Sequence, residues 1–457
     1  MTDDRNIPKQ QLEKWDDENV WHPFTPHTVY REERPLTVVA GDGHYLIDAD
    51  GDRYLDGVGS IWCNLFGHQR DEIDDAVREQ LDHIAHSTLL GNTNDRPVIL
   101  AKRLLEWAPD NLGKVFYSDN GSTSVEIAMK MALQFWQQHN DGAEAQRTTF
   151  MGLSNAYSGD TIGAVSIGGI DLFHSRFGPM LFESVRGPSP VTYHRPEGQT
   201  RREAEQKFVE QFDAVVDEHG DKLAAVVIEP GMQGAGGMVT YPDGFLAHAA
   251  DKIRDAGALL IVDEVAMGMG RSGEMFASQR EGVDPDFLCV AKGLTGGYSP
   301  VAATLATDRV YEAFLGPPEE GRTFFHGHTY TGNALGCAAA LATLDIFEDE
   351  EILPEVRRKQ EVLAARLEPL WDHDHVGDIR QYGLAAGVEL MSDTETRTRF
   401  DGADRIGMQV CSAARDRGVF LRPLGDVIVL MPPLTITDDE IDELVGAIEY
   451  GIEEVIG

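Results

Sequence analysis

The sequence predicts an α/β protein: a large domain with a mainly parallel sheet covered by helices, joined to a smaller α+β domain built from both chain ends. Three observations predict it. Between about residues 75 and 330, short runs rich in apolar and β-branched residues alternate with helical stretches, as in LAAVVIEP (223–230), ALLIVDEV (258–265) and FLCVA (287–291). Runs this continuous suit parallel strands buried on both faces. The flanks differ, because HYLIDADGDRYLDG (44–57) and VFLRPLGDVIVLMPP (419–433) alternate or fold back as hairpins. Finally, 457 residues at 42% hydrophobic are enough for two domains. The large domain is placed at 75–334, and the small one at 1–74 together with 335–457.

Composition narrows the partners. A net charge of -38 with pI ≈ 4.6 repels polyanions, so neither nucleic acid nor an anionic membrane is expected as a partner. Only ten of the 39 basic residues are lysine, against 77 acids spread through the chain. This pattern resembles halophilic adaptation to a salty cytoplasm, where screening relieves self-repulsion. The opening MTDDRNIPKQQLEKWDDENV is polar and acidic, and no apolar run approaches the roughly 20 residues of a membrane span, so a cytoplasmic location is expected. Cys63, Cys289, Cys337 and Cys411 form no CxxC pair and are expected as reduced thiols. His326-Gly327-His328 and His373-Asp374-His375 lack further ligands at metal-site spacing, so no metal is expected.

Taken in chain order, three segments carry chemistry. In YSDNGSTSVEIAMKMALQFW (117–136), the turn Asn120-Gly121-Ser122 leads into a helix whose apolar face is Val125, Ala128, Met129, Ala132, Leu133 and Trp136. Thr123 and Glu126 have capping-box spacing, which starts the helix just after Ser122 and offers backbone N–H groups to a phosphate. ALLIVDEV ends in Asp263 and Glu264, and FLCVA leads to Lys292, which places carboxylate and amine at the ligand-binding edge of one parallel sheet. Between them, Gly268-Met269-Gly270-Arg271-Ser272-Gly273 matches GxGxxG, but no clear helix follows, so a dinucleotide site is not favoured. The chain closes in a helix opened by a second box, Thr437 with Glu440.

These segments, with WHPFTP (21–26), GSIWCNLFGH (59–68), NAYSGDTIGAVS (155–166), VIEPGMQGAGGM (227–238), AKGLTGGY (291–298) and FFHGHTYTGN (324–333), resemble the class III aminotransferases over nearly the whole chain. That resemblance implies fold type I, with a seven-stranded sheet and pyridoxal 5'-phosphate as cofactor. Within the family the chain is most similar to the biotin-pathway enzymes that aminate 8-amino-7-oxononanoate to 7,8-diaminononanoate, with S-adenosylmethionine or lysine as amino donor.

The resemblance implies roles for particular residues. Lys292 corresponds to the lysine that forms a Schiff base with the cofactor and then moves a proton. Asp263 corresponds to the carboxylate facing the pyridine nitrogen. Gly121 and Ser122 correspond to a phosphate-binding turn, and His328 and Thr329 to a second phosphate contact supplied by a partner subunit, which implies a homodimer with shared sites. Tyr157 corresponds to the ring against the cofactor, supported by Asp160. Arg422 corresponds to the substrate-carboxylate arginine, with Trp62, Ile61, Phe24, Gly327 and Tyr157 lining the same pocket. Phe24 and Ile61 stand where the family often has Tyr and Trp, and this removal of a polar anchor and a stacking surface inclines the donor toward lysine. The alternatives are another class III ω-amino-acid aminotransferase, using pyruvate or 2-oxoglutarate as acceptor, a pyridoxal-phosphate aminomutase and, from the glycine match alone, an NAD-dependent oxidoreductase.

Overall fold

A computed structural model describes residues 7–457. Residues 1–6, which the sequence reading assigns to the small domain, lie outside the described residues. Strands β1 (Val38–Asp42), β2 (Tyr45–Asp48) and β3 (Arg53–Asp56) form an antiparallel meander. Next come β4 (Leu112–Ser118), β5 (Thr149–Leu153), β6 (Val185–Gly187) and β7 (Leu223–Ile228). A small hairpin, β8 (Met232–Gln233) with β9 (Val239–Thr240), precedes β10 (Leu259–Asp263), β11 (Phe287–Val290) and β12 (Ala302–Thr307). The last strands are β13 (Val376–Tyr382), β14 (Ala385–Leu390), β15 (Val419–Phe420), β16 (Arg422–Leu424) and β17 (Val427–Leu430).

Seven of these strands make one sheet in the order β4-β12-β11-β10-β7-β5-β6. β10 pairs in parallel with β11 and β7, and β5 with β7 and β6, whereas β12 runs antiparallel to both of its neighbours. The continuous apolar runs follow from cover on both faces. Leu259, Ile261 and Val227 pack on one side with Val125, Ala128, Phe135 and Trp136 of the helix Gly121–Gln138. Leu260, Val262 and Val226 pack on the other with Phe208, Phe212 and Phe245. Successive strand residues point to opposite faces, so both must be apolar.

The chain ends meet in the other sheets. β15 adds to the amino-terminal meander in parallel with β3, and β13-β14-β17-β16 form a separate four-stranded sheet. The segment 419–433, read as one hairpin, therefore divides: Val419 and Phe420 leave for β3, and only β16 and β17 fold back on each other. The closing helix Asp438–Ile456 carries the expected box at Thr437 and Glu440.

One predicted cap moves. Asn120, extended at the end of β4, is the N-cap of Gly121–Gln138: its side chain accepts from Thr123 N, and Thr123 Oγ1 accepts from Asn120 N. The helix therefore starts at Gly121, and Glu126 is free to bind Gly163 N (3.0 Å) and the Thr161 hydroxyl. A short amide at the strand end reaches the first turn more directly than Thr123 reaches back from within it.

Candidate active site

Because β5, β7, β10 and β11 run parallel, the residues just past their carboxyl ends converge on one crevice. A cavity of about 620 Å³ opens there, lined by Trp62, Gly121, Ser122, Tyr157, Asp263 and Lys292, six of the residues singled out from sequence. Lys292 sits just beyond β11 in the left-handed region, φ 41°, an unusual conformation for a side-chain-bearing residue. Its Nζ lies 5.2 Å from the Trp62 ring centroid, over the π face. Asp263 ends β10 buried, with Oδ1 accepting from Val265 N at 3.1 Å. Glu264 turns away and is consumed structurally by Ala277 N, Ser278 N and Ser278 Oγ at 2.8–2.9 Å.

One end of the cavity is the start of the helix Gly121–Gln138, where Gly121 and Ser122 lie in the first turn and their N–H groups have no intrahelical partner. A Cβ on Gly121 would come within 2.5 Å of Val265 Cγ1, so only glycine lets the turn approach β10 this closely. Ser122 Oγ accepts from Thr161 N at 3.0 Å, which ties the helix start to the loop carrying Tyr157. In that loop the Tyr157 hydroxyl donates to Asp160 at 2.7 Å.

Sequence reasoning missed Glu229. It stands just past β7, as Asp263 stands at the end of β10, and it is buried between two walls of the cavity, accepting from Tyr157 N (3.1 Å) and Gly234 N (3.0 Å). Burial and the neighbouring Asp263 push its carboxyl up to about 8, against those two donors. Burial also raises Asp263, with Lys292 pulling the other way. The Lys292 amine is lowered by burial, opposed by Asp263 and Glu229. A lowered amine holds more of its neutral, nucleophilic form near pH 7 than an exposed lysine does.

Trp62 reaches the cavity from an unusual turn. Gly59, Ser60, Ile61 and Trp62 have φ of 51°, 48°, 63° and 73°, a single turn wound left-handed. For side-chain-bearing residues that hand costs roughly 1–2 kcal/mol each. Gly234 makes room opposite, since a Cβ there would sit 3.0 Å from Trp62 Cζ3.

The remaining candidates lie outside this cavity. Phe24 and Ile61 are exposed, and Phe173 packs edge-on against both Phe24 and Tyr157. Arg422 is exposed on β16. Gly327 and Thr329 are exposed, and His328 Nε2 lies 3.9 Å from Asp119 Oδ1 at the cavity's edge. The glycine match 268–273 leads into turns rather than a helix, and buried Arg271 within it donates to the carbonyls of Leu384 and Pro432. That glycine-rich loop joins segments of the chain and offers no helix N-terminus to a dinucleotide.

Comparison with known proteins agrees with this geometry. The pattern of the family described as Aminotransferase class-III matches residues 28–452. An adenosylmethionine-8-amino-7-oxononanoate aminotransferase from Geobacter sulfurreducens is 50% identical over 449 residues, 98% of each chain. The crystal structure of the protein of that name from Methanocaldococcus jannaschii superposes with TM-score 0.93 at 42% identity, covering 98% of this chain and 100% of that one. An amine transaminase from an uncultivated Pseudomonas species, in its PLP-bound form, gives TM-score 0.90 at 36% identity over 96% and 99%. A match across nearly the whole length, joined to a lysine and a buried aspartate at adjacent strand ends, makes this chain a member of the class III aminotransferase family.

Proposed function

We propose that this chain transfers an amino group to 8-amino-7-oxononanoate, with Lys292 and Asp263 at the centre of the site. The observation that carries the substrate is the 50% identity, over 98% of both chains, to a relative named for that reaction. Pyridoxal phosphate fits the residues present: an amine of lowered basicity, a buried carboxylate one strand away, and a helix start whose Gly121 approaches β10 as only glycine can. When bound, it supplies an aldehyde that exchanges amines and a ring that accepts electron density.

The protein's own groups do the rest. Lys292 Nζ would hold the cofactor and, once freed by substrate, would move the proton at the reacting substrate carbon. Asp263 would face the ring nitrogen and, by its negative charge, would hold a proton there. Gly121 and Ser122 N–H groups would bind the cofactor's phosphate, and Tyr157 and Trp62, which wall the cavity, would exclude water. Arg422, on the exposed face of β16, receives the substrate carboxylate as a planar two-pronged donor.

S-adenosylmethionine is the donor in this reading, as in the relatives' names. The relatives' names outweigh the inclination toward lysine that Phe24 and Ile61 suggest. Leu90, Leu172 and Phe325 are each at least 85% exposed, a cost that a second copy of the chain would relieve while bringing His328 and Thr329 to its neighbour's site. No helix among the described residues is long and apolar enough to cross a membrane, and a cytoplasmic setting suits the chain's acidic composition.

The test is a half-reaction screen that follows the cofactor's visible absorbance with S-adenosylmethionine, lysine, glutamate and alanine. Conversion by S-adenosylmethionine, followed by reoxidation with 8-amino-7-oxononanoate, is expected. Reoxidation by pyruvate or 2-oxoglutarate alone would favour the ω-amino-acid reading.

A further inference from the structure

Asp56 lies outside the cavity and belongs to none of the groups that act on substrate, yet it is fully buried at the end of β3. Its two oxygens capture the first side-chain-bearing residue of the left-handed turn: Oδ1 accepts from Ser60 N at 3.0 Å and Oδ2 from Ser60 Oγ at 2.7 Å. His68 Nε2 stands 3.2 Å from Oδ2 as a further partner of the same carboxylate. β3 itself is held by β2 on one edge and by β15 on the other, Asp56 pairing with Phe420, so the carboxylate is anchored to the sheet.

Three successive residues with side chains, φ 48°, 63° and 73°, would relax toward right-handed backbone if nothing opposed it. Two features oppose it. Cys63 N and Asn64 N both return to Gly59 O, at 3.0 and 2.9 Å, which closes the turn, and Asp56 fixes where it begins. At the far end, Gly234 leaves just the space the Trp62 ring fills, and Gly234 is itself tied to Glu229.

We propose that Asp56 is a positioning residue that holds the Gly59–Trp62 turn in its left-handed form and thereby sets the Trp62 indole face against the Lys292 amine. The proposal rests on Lys292 as the reacting amine and adds a residue that acts only through Trp62.

The test is a double-mutant cycle with a second readout that needs no cofactor. In the full-length enzyme, Asp56→Ala is expected to lower kcat/KM for 8-amino-7-oxononanoate about tenfold or more, but less than about threefold in a Trp62→Ala background. In the cofactor-free chain, amide hydrogen exchange at residues 58–64 is expected to accelerate about tenfold in Asp56→Ala, with the seven-stranded sheet unchanged. Ser60→Ala, which removes one contact and leaves the carboxylate in place, is expected to show a smaller shift of the same kind and covers the case in which Asp56→Ala does not fold. Equal losses with and without Trp62, or exchange at 58–64 that stays at the wild-type rate in both variants, overturn the proposal. If the wild type shows no cofactor absorbance, the cofactor reading fails, and the exchange measurement still decides the role of Asp56.

Discussion

In the proposed function, the main-chain strain at Lys292 and the lowered basicity of its amine serve one end, a nucleophile held at a single place. Lys292→Ala is expected to fold and to lose at least about 10³-fold in kcat, since cofactor anchor and proton carrier go together; purified variant with near-wild-type turnover would refute the assignment. Glu229 gives a prediction in pH. Its folded value of about 8 lies above the ordinary 4.5, so the folded chain holds this proton more tightly than the unfolded one. The stability it contributes is complete below about pH 4.5 and is lost as the pH rises toward 8. The melting-temperature advantage of the cofactor-free wild type over Glu229→Gln should therefore shrink across that window. A constant or growing difference would mean that Glu229 is ionised throughout.

The elements explain which parts of the site are legible in a sequence. Asp263 and Lys292 stand out because each follows a run apolar on both faces, so a charged residue there must sit at the strand's end. Glu229 has the same placement after LAAVVI, but its importance depends on Tyr157 N and Gly234 N arriving from other segments, and no periodicity records that. Tyr157 and Trp62 come from family resemblance, because they lie on loops whose course is set by tertiary contacts such as Ser122 with Thr161. The cap of Gly121–Gln138 was misplaced since Thr123-Glu126 and Asn120-Thr123 are both acceptable spacings, and only the path of β4 decides between them. One glycine in this region is testable. Gly159 has φ 115°, and a Cβ there would overlap Ser122. Gly159→Ala is expected to weaken cofactor binding by roughly 1–3 kcal/mol, read by titrating the cofactor-free enzyme. Unchanged affinity would show that the Ser122 turn tolerates displacement.

Over the whole molecule, charge and topology set the terms. A net charge of -38 strains the folded chain in dilute buffer, and at 1 M salt the screening length falls to ~3 Å. Melting temperature is expected to climb with added KCl; a flat or falling curve would mean that the acids are compensated by local ion pairs. Topology acts on the site through β12. Because β12 returns antiparallel beside β11, with Val290 opposite Ala303, Lys292 rides on a short link between two hydrogen-bonded neighbours instead of on a long crossover. Gly293, Leu294, Thr295 and Gly296 in that link are buried, so this wall of the cavity is closely packed. The loops bearing Trp62 and Tyr157 are held instead by side-chain contacts, Asp56 to Ser60 and Ser122 to Thr161, which substitution can adjust. Efforts to reshape the enzyme for bulkier amines should therefore alter residues 59–62 and 157–161 and leave 291–301 as the fixed datum against which any new substrate is measured.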